Sequence, residues 1–322
     1  MFLKSYKNFL WVNHILFLQH DKMSIFENCN SCPANTTSKV FMKSSKELAI
    51  IASQVRRDVL RMVHAVQSGH PGAPLGCAEF FAAMYFRILR HNPSAFIMDG
   101  TGEDVFFLSN GHLSAGWYSV LARSGFFDVK ELSTFRQINS RLQGHPATAE
   151  HLPGVRVASG SLGQGLSVAI GCAMGKKLNN DKHLVYVLMG DGEMQEGQVW
   201  EAAMYAAAKK TDNLIAVVDY NGQQIDGPVN MVMPLGYLKD KWLSFGWKVL
   251  ETDGNNIEEL LNTLEEVFSL TGKSEPVIIL MKTVMGKGVD FMENHHKWHG
   301  VAPNDEQLKK ALEQLEETLG DF

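Results

Sequence analysis

Apolar residues recur at helical spacing through Leu48, Val55, Val59, Leu60 and Val63, behind a Ser44–Ser45 pair able to cap the helix. A second helix is expected after Pro74, through Phe80, Phe81, Met84 and Phe86. The pattern then changes. Short apolar runs at residues 105–108, 184–189, 214–219, 247–250 and 277–281 read as buried strands. Helical stretches fit between them at 114–123, 163–177, 198–210 and 257–270, and a last amphipathic helix is expected over residues 305–319. Strands alternating with helices predict an α/β fold: a doubly wound, mainly parallel sheet with helices on both faces. Its ligands belong at the carboxyl ends of the strands.

Two segments are expected, an irregular N-terminal arm over residues 1–43 and one domain over 44–322. The apolar run 9–18 is interrupted by Asn13 and His14, too short to span a membrane, and followed by no small-residue cleavage site. Met23 and Met42 are alternative starts.

Composition changes little in this picture. The 322 residues are 45% hydrophobic and 20% charged, ordinary for a globular protein. A formal net charge of -5 offers no field for nucleic acid or for an anionic membrane, so any phosphate must be held by local geometry. Of four cysteines, Cys77 and Cys172 read as buried thiols, while Cys29 and Cys32 form a lone C-x-x-C with no second pair to close a zinc site. Free thiols fit a reducing, cytoplasmic setting.

The chemistry concentrates in residues 184–228. Gly190-Asp191-Gly192 ends one expected strand and Asn221 follows the next, with one helix between them. A single β-α-β unit therefore brings the Asp191 carboxylate and the Asn221 amide to one edge, and two hard oxygen ligands suit Mg²⁺ or Ca²⁺. Gly-Asp-Gly alone is more often a tight turn; the paired Asn argues for a site. Four histidines adjoin glycine in loops on the same edge: His70, His112, His145 and His299. A lone loop histidine is usually a solvated residue, but four converging on one edge point to acid–base or hydroxyl-binding work. Gly160-Ser161-Leu162-Gly163-Gln164-Gly165 opens a helix whose N-terminus is a candidate anion site. His14, His20, His64, His91, His151, His183, His295 and His296 lack that context and read as structural or solvated.

The Gly-Asp-Gly segment, one helix and an Asn loop resemble the thiamine-diphosphate enzymes. The motifs SGHPGAPLG, SNGH, QGHP, GSLGQGLS, GDGEMQEG and WHG, in that order from about Ser45 onward, resemble transketolase. The resemblance implies that Asp191, Asn221 and the Gln223 carbonyl hold Mg²⁺ (or Ca²⁺). It implies that Gly160, Leu162, Gly192 and Asn221 bind thiamine diphosphate, Gly192 through its amide. His70 and His299 would contact the diphosphate and the reacting hydroxyls. His112 and His145 would line the donor channel, His145 near the ketose C1 hydroxyl. Glu196 and Glu201 match acidic residues at the family's subunit contact, the alternative being an exposed helix face. The sequence departs from the family at Ser161, where Pro is common, and at Gly222-Gln223.

The implied activity is transfer of a two-carbon ketol unit from a ketose phosphate to an aldose phosphate. Members of the family need a catalytic glutamate on a pyrimidine-binding domain, and no such strand–helix series follows in this sequence. The expected partner is a C-terminal transketolase subunit that supplies it, in an α2β2 assembly, and that also holds most of the donor's phosphate. Three alternatives stay open: a transketolase-like subunit for a different sugar, the alpha chain of another thiamine-diphosphate enzyme, and a non-catalytic cofactor-binding module.

Overall fold

Ser44 accepts the Glu47 amide on its side chain while Glu47 reaches back to the Ser44 amide, so two orphan donors of the first turn are paired. The computed structural model describes residues 43–322, and the expectations for residues 1–42, the Cys29/Cys32 pair among them, lie outside the described residues. Helix α1 (Ser45–Ala65) is buried around most of its circumference. Its buried charged residues are therefore paired. Asp58 accepts from Ser119 and Arg123, and Arg56 donates to Glu79 and to the Leu75 carbonyl.

The single helix expected after Pro74 is broken. The chain makes α2 (Gly72–Gly76), α3 (Ala78–Ala83) and a π-helical turn at Met84–Ile88. Gly72 and Gly76 press so closely on the chain near Met285 and Trp298 that added Cβ atoms would stand 2.8 Å from backbone oxygens. That approach turns the chain at Cys77.

The remaining elements follow in order: β1 (Val105–Leu108), α4 (Ser114–Arg123), α5 (Gly165–Leu178), β2 (Val185–Gly190), α6 (Gly197–Ala208) and β3 (Leu214–Tyr220). A small hairpin of β4 (Gln223–Gln224) and β5 (Gly227–Pro228) comes next. After it lie α7 (Val229–Val232), α8 (Leu238–Ser244), β6 (Lys248–Asp253), α9 (Ile257–Leu270), β7 (Val277–Lys282) and α10 (Asp305–Gln314).

Five strands form one parallel sheet in the order β1-β2-β3-β7-β6, as the alternation of strands and helices predicts. Successive residues point to opposite faces, and both faces are covered. In β3, Ile215 and Val217 enter the core under α1, α3, α4 and α9, while Leu214, Ala216 and Val218 enter the core under α5, α6 and α8. That double burial requires the unbroken apolar run, each large side chain contributing about 1.5–3 kcal/mol.

Two elements differ from expectation for identifiable reasons. Strand β6 continues to Asp253, because as an edge strand it carries exposed Lys248, Glu251 and Asp253 that interrupt the apolar signal. Helix α10 stops at Gln314 because Arg57 takes the Leu312 and Leu315 carbonyls and Gln54 accepts the Thr318 and Leu319 amides. Cys77 is buried as expected, whereas Cys172 is only partly so. None of the described helices is long and apolar enough to cross a membrane.

Candidate active site

The loops leaving the carboxyl edge of the sheet bring the four singled-out histidines together. His70 lies at their centre, with ring centroids 5.4 Å from His112, 5.9 Å from His145 and 5.8 Å from His299, and His112 lies 4.8 Å from His299. Close backbone contact allows this. A Cβ on Gly111 would stand 2.6 Å from Ser159 Oγ and 2.8 Å from the Gly160 nitrogen, so only glycine lets the His112 loop lie against the 159–162 loop. Gly160 itself has φ 129° and packs on the His145 ring.

Burial sets the charge of this cluster. It is the largest cause lowering the pKa of all four rings, pushing His70 down to about 4, with further repulsion at His70 from His299, Arg136 and His145. Near neutral pH the rings are uncharged. The Nδ1 atoms of His70 and His299 are buried without partners, free for a ligand's hydroxyl or phosphate oxygen. Three of the other described histidines find structural partners: His64 meets Asp305, His183 meets Asp181, and His91 stacks on Phe126.

Beside the histidines is a pocket of about 200 Å³ lined by His112, Leu162, Asp191, Gly192, Asn221, Gln223 and His299 among others. The β2–β3 register sets Gly190 opposite Asp219, so Asp191 follows directly beside it. Burial, and then the Asp219 charge, push the Asp191 carboxyl up to about 7, and burial pushes Asp219 up to about 6. Two carboxylates so placed favour a cation. Asp191 accepts from the Gly192 amide at 2.7 Å and the Gly222 amide at 2.5 Å. Asn221 donates from Nδ2 to Asp219 at 2.8 Å and accepts the Gln223 amide at 2.8 Å. The Gly192 amide thus points at Asp191 in this structure. No lysine or arginine lines the pocket.

The N-terminus of α5 is not an open anion site, contrary to expectation. Glu193 accepts the Gly163 amide at 2.8 Å, and Ser109 Oγ accepts the Gly165 amide at 3.1 Å. Glu193 also accepts from Ser109 and, at 3.1 Å, from the Gly190 amide. One buried carboxylate therefore joins the His112, Leu162 and Asp191 loops. Glu196 and Glu201 are exposed.

Sequence reasoning passed over Asp219, Glu193, Arg136 and Asn110. Asp219 had a signal, a carboxylate closing the apolar run 214–218. Asn110 is fully buried with both amide atoms unpartnered, and its neighbourhood is set by strands distant in sequence.

A family model described as "Transketolase, thiamine diphosphate binding domain" matches residues 48–318. The chain belongs to the transketolase family. The chain is 37% identical over 272 residues to an apulose-4-phosphate transketolase subunit of Phocaeicola vulgatus, covering 84% of this chain and 95% of that one. It is 37% identical over 268 residues to a 6-deoxy-6-sulfo-D-fructose transketolase subunit of a Clostridium species, covering 82% and 94%. Human transketolase is 35% identical over 265 residues, which make up 82% of this chain and 41% of the human one. The crystal structure of Campylobacter jejuni transketolase superposes with a TM-score of 0.75 at 35% identity, covering 84% of this chain and 43% of that one. The chain thus spans nearly all of the two similar subunits and less than half of the human and Campylobacter transketolases.

Proposed function

We propose that this chain is the N-terminal, thiamine-diphosphate-binding subunit of a split transketolase. With a partner it would move a two-carbon ketol unit from a ketose phosphate to an aldose phosphate. The observation that carries this reading is the convergence of four histidine rings beside a buried carboxylate pair. A sugar presents many hydroxyls, and each neutral ring offers one acceptor and one donor for them.

The residues fit the cofactor. Asp191, the Asn221 amide oxygen and the Gln223 carbonyl would hold Mg²⁺ (or Ca²⁺). That donor set would mix one carboxylate with amide and carbonyl oxygens, the hard ligands these ions prefer. That ion is the means of neutralising a diphosphate in a pocket without lysine or arginine. Gly160 and Leu162 would pack on the cofactor. Gly192 would turn its amide from Asp191 to the diphosphate, with His70 and His299 offering their unpartnered nitrogens. When bound, thiamine diphosphate supplies the carbanion chemistry that breaks and remakes the carbon–carbon bond. His112 and His145 would line the donor channel, hold its hydroxyls and pass protons at neutral pH.

The partner would be a C-terminal transketolase subunit bringing the pyrimidine-binding domain and the catalytic glutamate, in an α2β2 assembly in the cytoplasm. The naming of the similar chains as subunits supports the need for a partner. Sugar phosphates are the substrate class, and the partner would bind most of the terminal phosphate.

The test is a panel of ketose phosphates, apulose 4-phosphate included, offered with ribose 5-phosphate to the two subunits together. Growth of the acceptor by two carbons supports the reading. Decarboxylation of a 2-oxo acid in place of any ketol transfer would favour the alpha chain of another thiamine-diphosphate enzyme.

A further inference from the structure

Arg136 has φ 57°, a left-handed backbone unusual for a bulky residue, and its amide donates to the Leu142 carbonyl at 2.8 Å to close a tight loop. Its side chain reaches between two histidine loops. Nη1 donates to Ser68 Oγ at 2.7 Å, two residues before His70, and Nη2 to the Gly144 carbonyl at 3.5 Å, one residue before His145. The fit is close, since a Cβ on Gly144 would stand 2.7 Å from Arg136 Cζ. Nε is buried without a partner. Among the described residues Arg136 has no salt-bridge partner, as its hydrogen bonds go to a hydroxyl and a carbonyl.

We propose that Arg136 is a positioning residue for the sugar-binding histidines, tying the His70 loop to the His145 loop and holding a fixed positive charge against both rings. This rests on the transketolase reading above. His70 faces His112, His145, His299 and Arg136, and His145 faces His70 and Arg136; none of these is an acid. Arg136 is unlike its neighbours because a guanidinium stays charged at every working pH. Its charge persists when the neighbouring imidazoles are neutral and disfavours protonation of either ring, and after burial it is what lowers the His145 pKa. A protonated ring could only donate, whereas a neutral one keeps an acceptor for a sugar hydroxyl.

The experiment compares wild type, Arg136→Asn and Arg136→Lys by NMR titration of ¹³C-labelled histidines in the full chain. Asn tolerates the left-handed backbone while removing the charge. The expected result is a rise of about half a pH unit or more in the His70 and His145 midpoints of Arg136→Asn. His299 should stay put and Arg136→Lys should remain near wild type. Unchanged midpoints in Arg136→Asn would overturn the proposal. Should that variant not fold, Arg136→Gly suits the same backbone and carries the same comparison. In the assembled enzyme, the acid limb of kcat/KM for the donor should move to higher pH in Arg136→Asn. A lowered plateau with an unmoved limb would mean structural damage alone and overturn it. A higher KM confined to phosphorylated donors would make Arg136 a direct phosphate contact, and likewise overturn it. The histidine titration is read on the chain itself, so it stands or falls independently of whether ketol transfer is found.

Discussion

The Asp191 amide donates to the Asp219 carbonyl at 3.1 Å, which holds two buried carboxylates side by side at the ends of adjacent strands. Asp219 is bound in turn by the Thr283 hydroxyl and by Asn221, so it orients the Asn221 amide as well as repelling Asp191. Asp219→Asn should therefore weaken Mg²⁺ binding by about 10–100-fold, the usual effect of removing a residue that orients metal ligands. Asp191→Asn should weaken it further. Calorimetric titration of Mg²⁺ in the presence of thiamine diphosphate checks both.

The buried histidines make stability depend on pH in a definite direction. Their pKa values are lowered on folding, so the stability they contribute is present above the unfolded value near 6.5. It is lost as pH falls through the folded value, about 4 for His70. Urea midpoints should drop between pH 6.5 and 4, and His70→Gln should remove part of that drop. An identical slope in the variant would contradict the assignment.

Glu193 accepts three hydrogen bonds from three loops, with a side chain almost fully buried. Glu193→Ala would leave the Gly163 and Gly190 amides unpaired, at a cost of about 2–4 kcal/mol in all. Denaturant unfolding measures that loss. Cofactor affinity should fall with it, because the same carboxylate sets the spacing of the loops that line the pocket.

Gly111→Ala tests the close packing of the His112 loop. The added methyl would meet Ser159 Oγ and the Gly160 nitrogen at 2.6 and 2.8 Å, and backbone cannot yield as a side chain can. Overpacking of this kind costs about 1–3 kcal/mol. Thermal unfolding should register it, with a larger loss in cofactor binding than Gly175→Ala, whose Cβ would meet nothing.

Much of this architecture is legible in the sequence because burial on both faces demands unbroken apolar strands. The 214–219 run and the helices at 114–123 and 257–270 follow directly from it. The histidines are legible through their glycines, which mark close loops at the carboxyl edge. Asp219, Glu193 and Arg136 are harder to find, because each acts on residues that only strand register and loop packing bring near. The α5 terminus shows the same limit: its amides look free until Glu193 and Ser109, from two other loops, occupy them. The early end of α10 depends on Arg57, more than two hundred residues upstream.

The central claim is that this chain carries half of a transketolase site. The most direct measurement is ketol transfer from xylulose 5-phosphate to ribose 5-phosphate with thiamine diphosphate and Mg²⁺, by this chain alone and mixed with a candidate C-terminal subunit. The account predicts activity in the mixture and none from the chain alone. Full activity from the chain alone would contradict it.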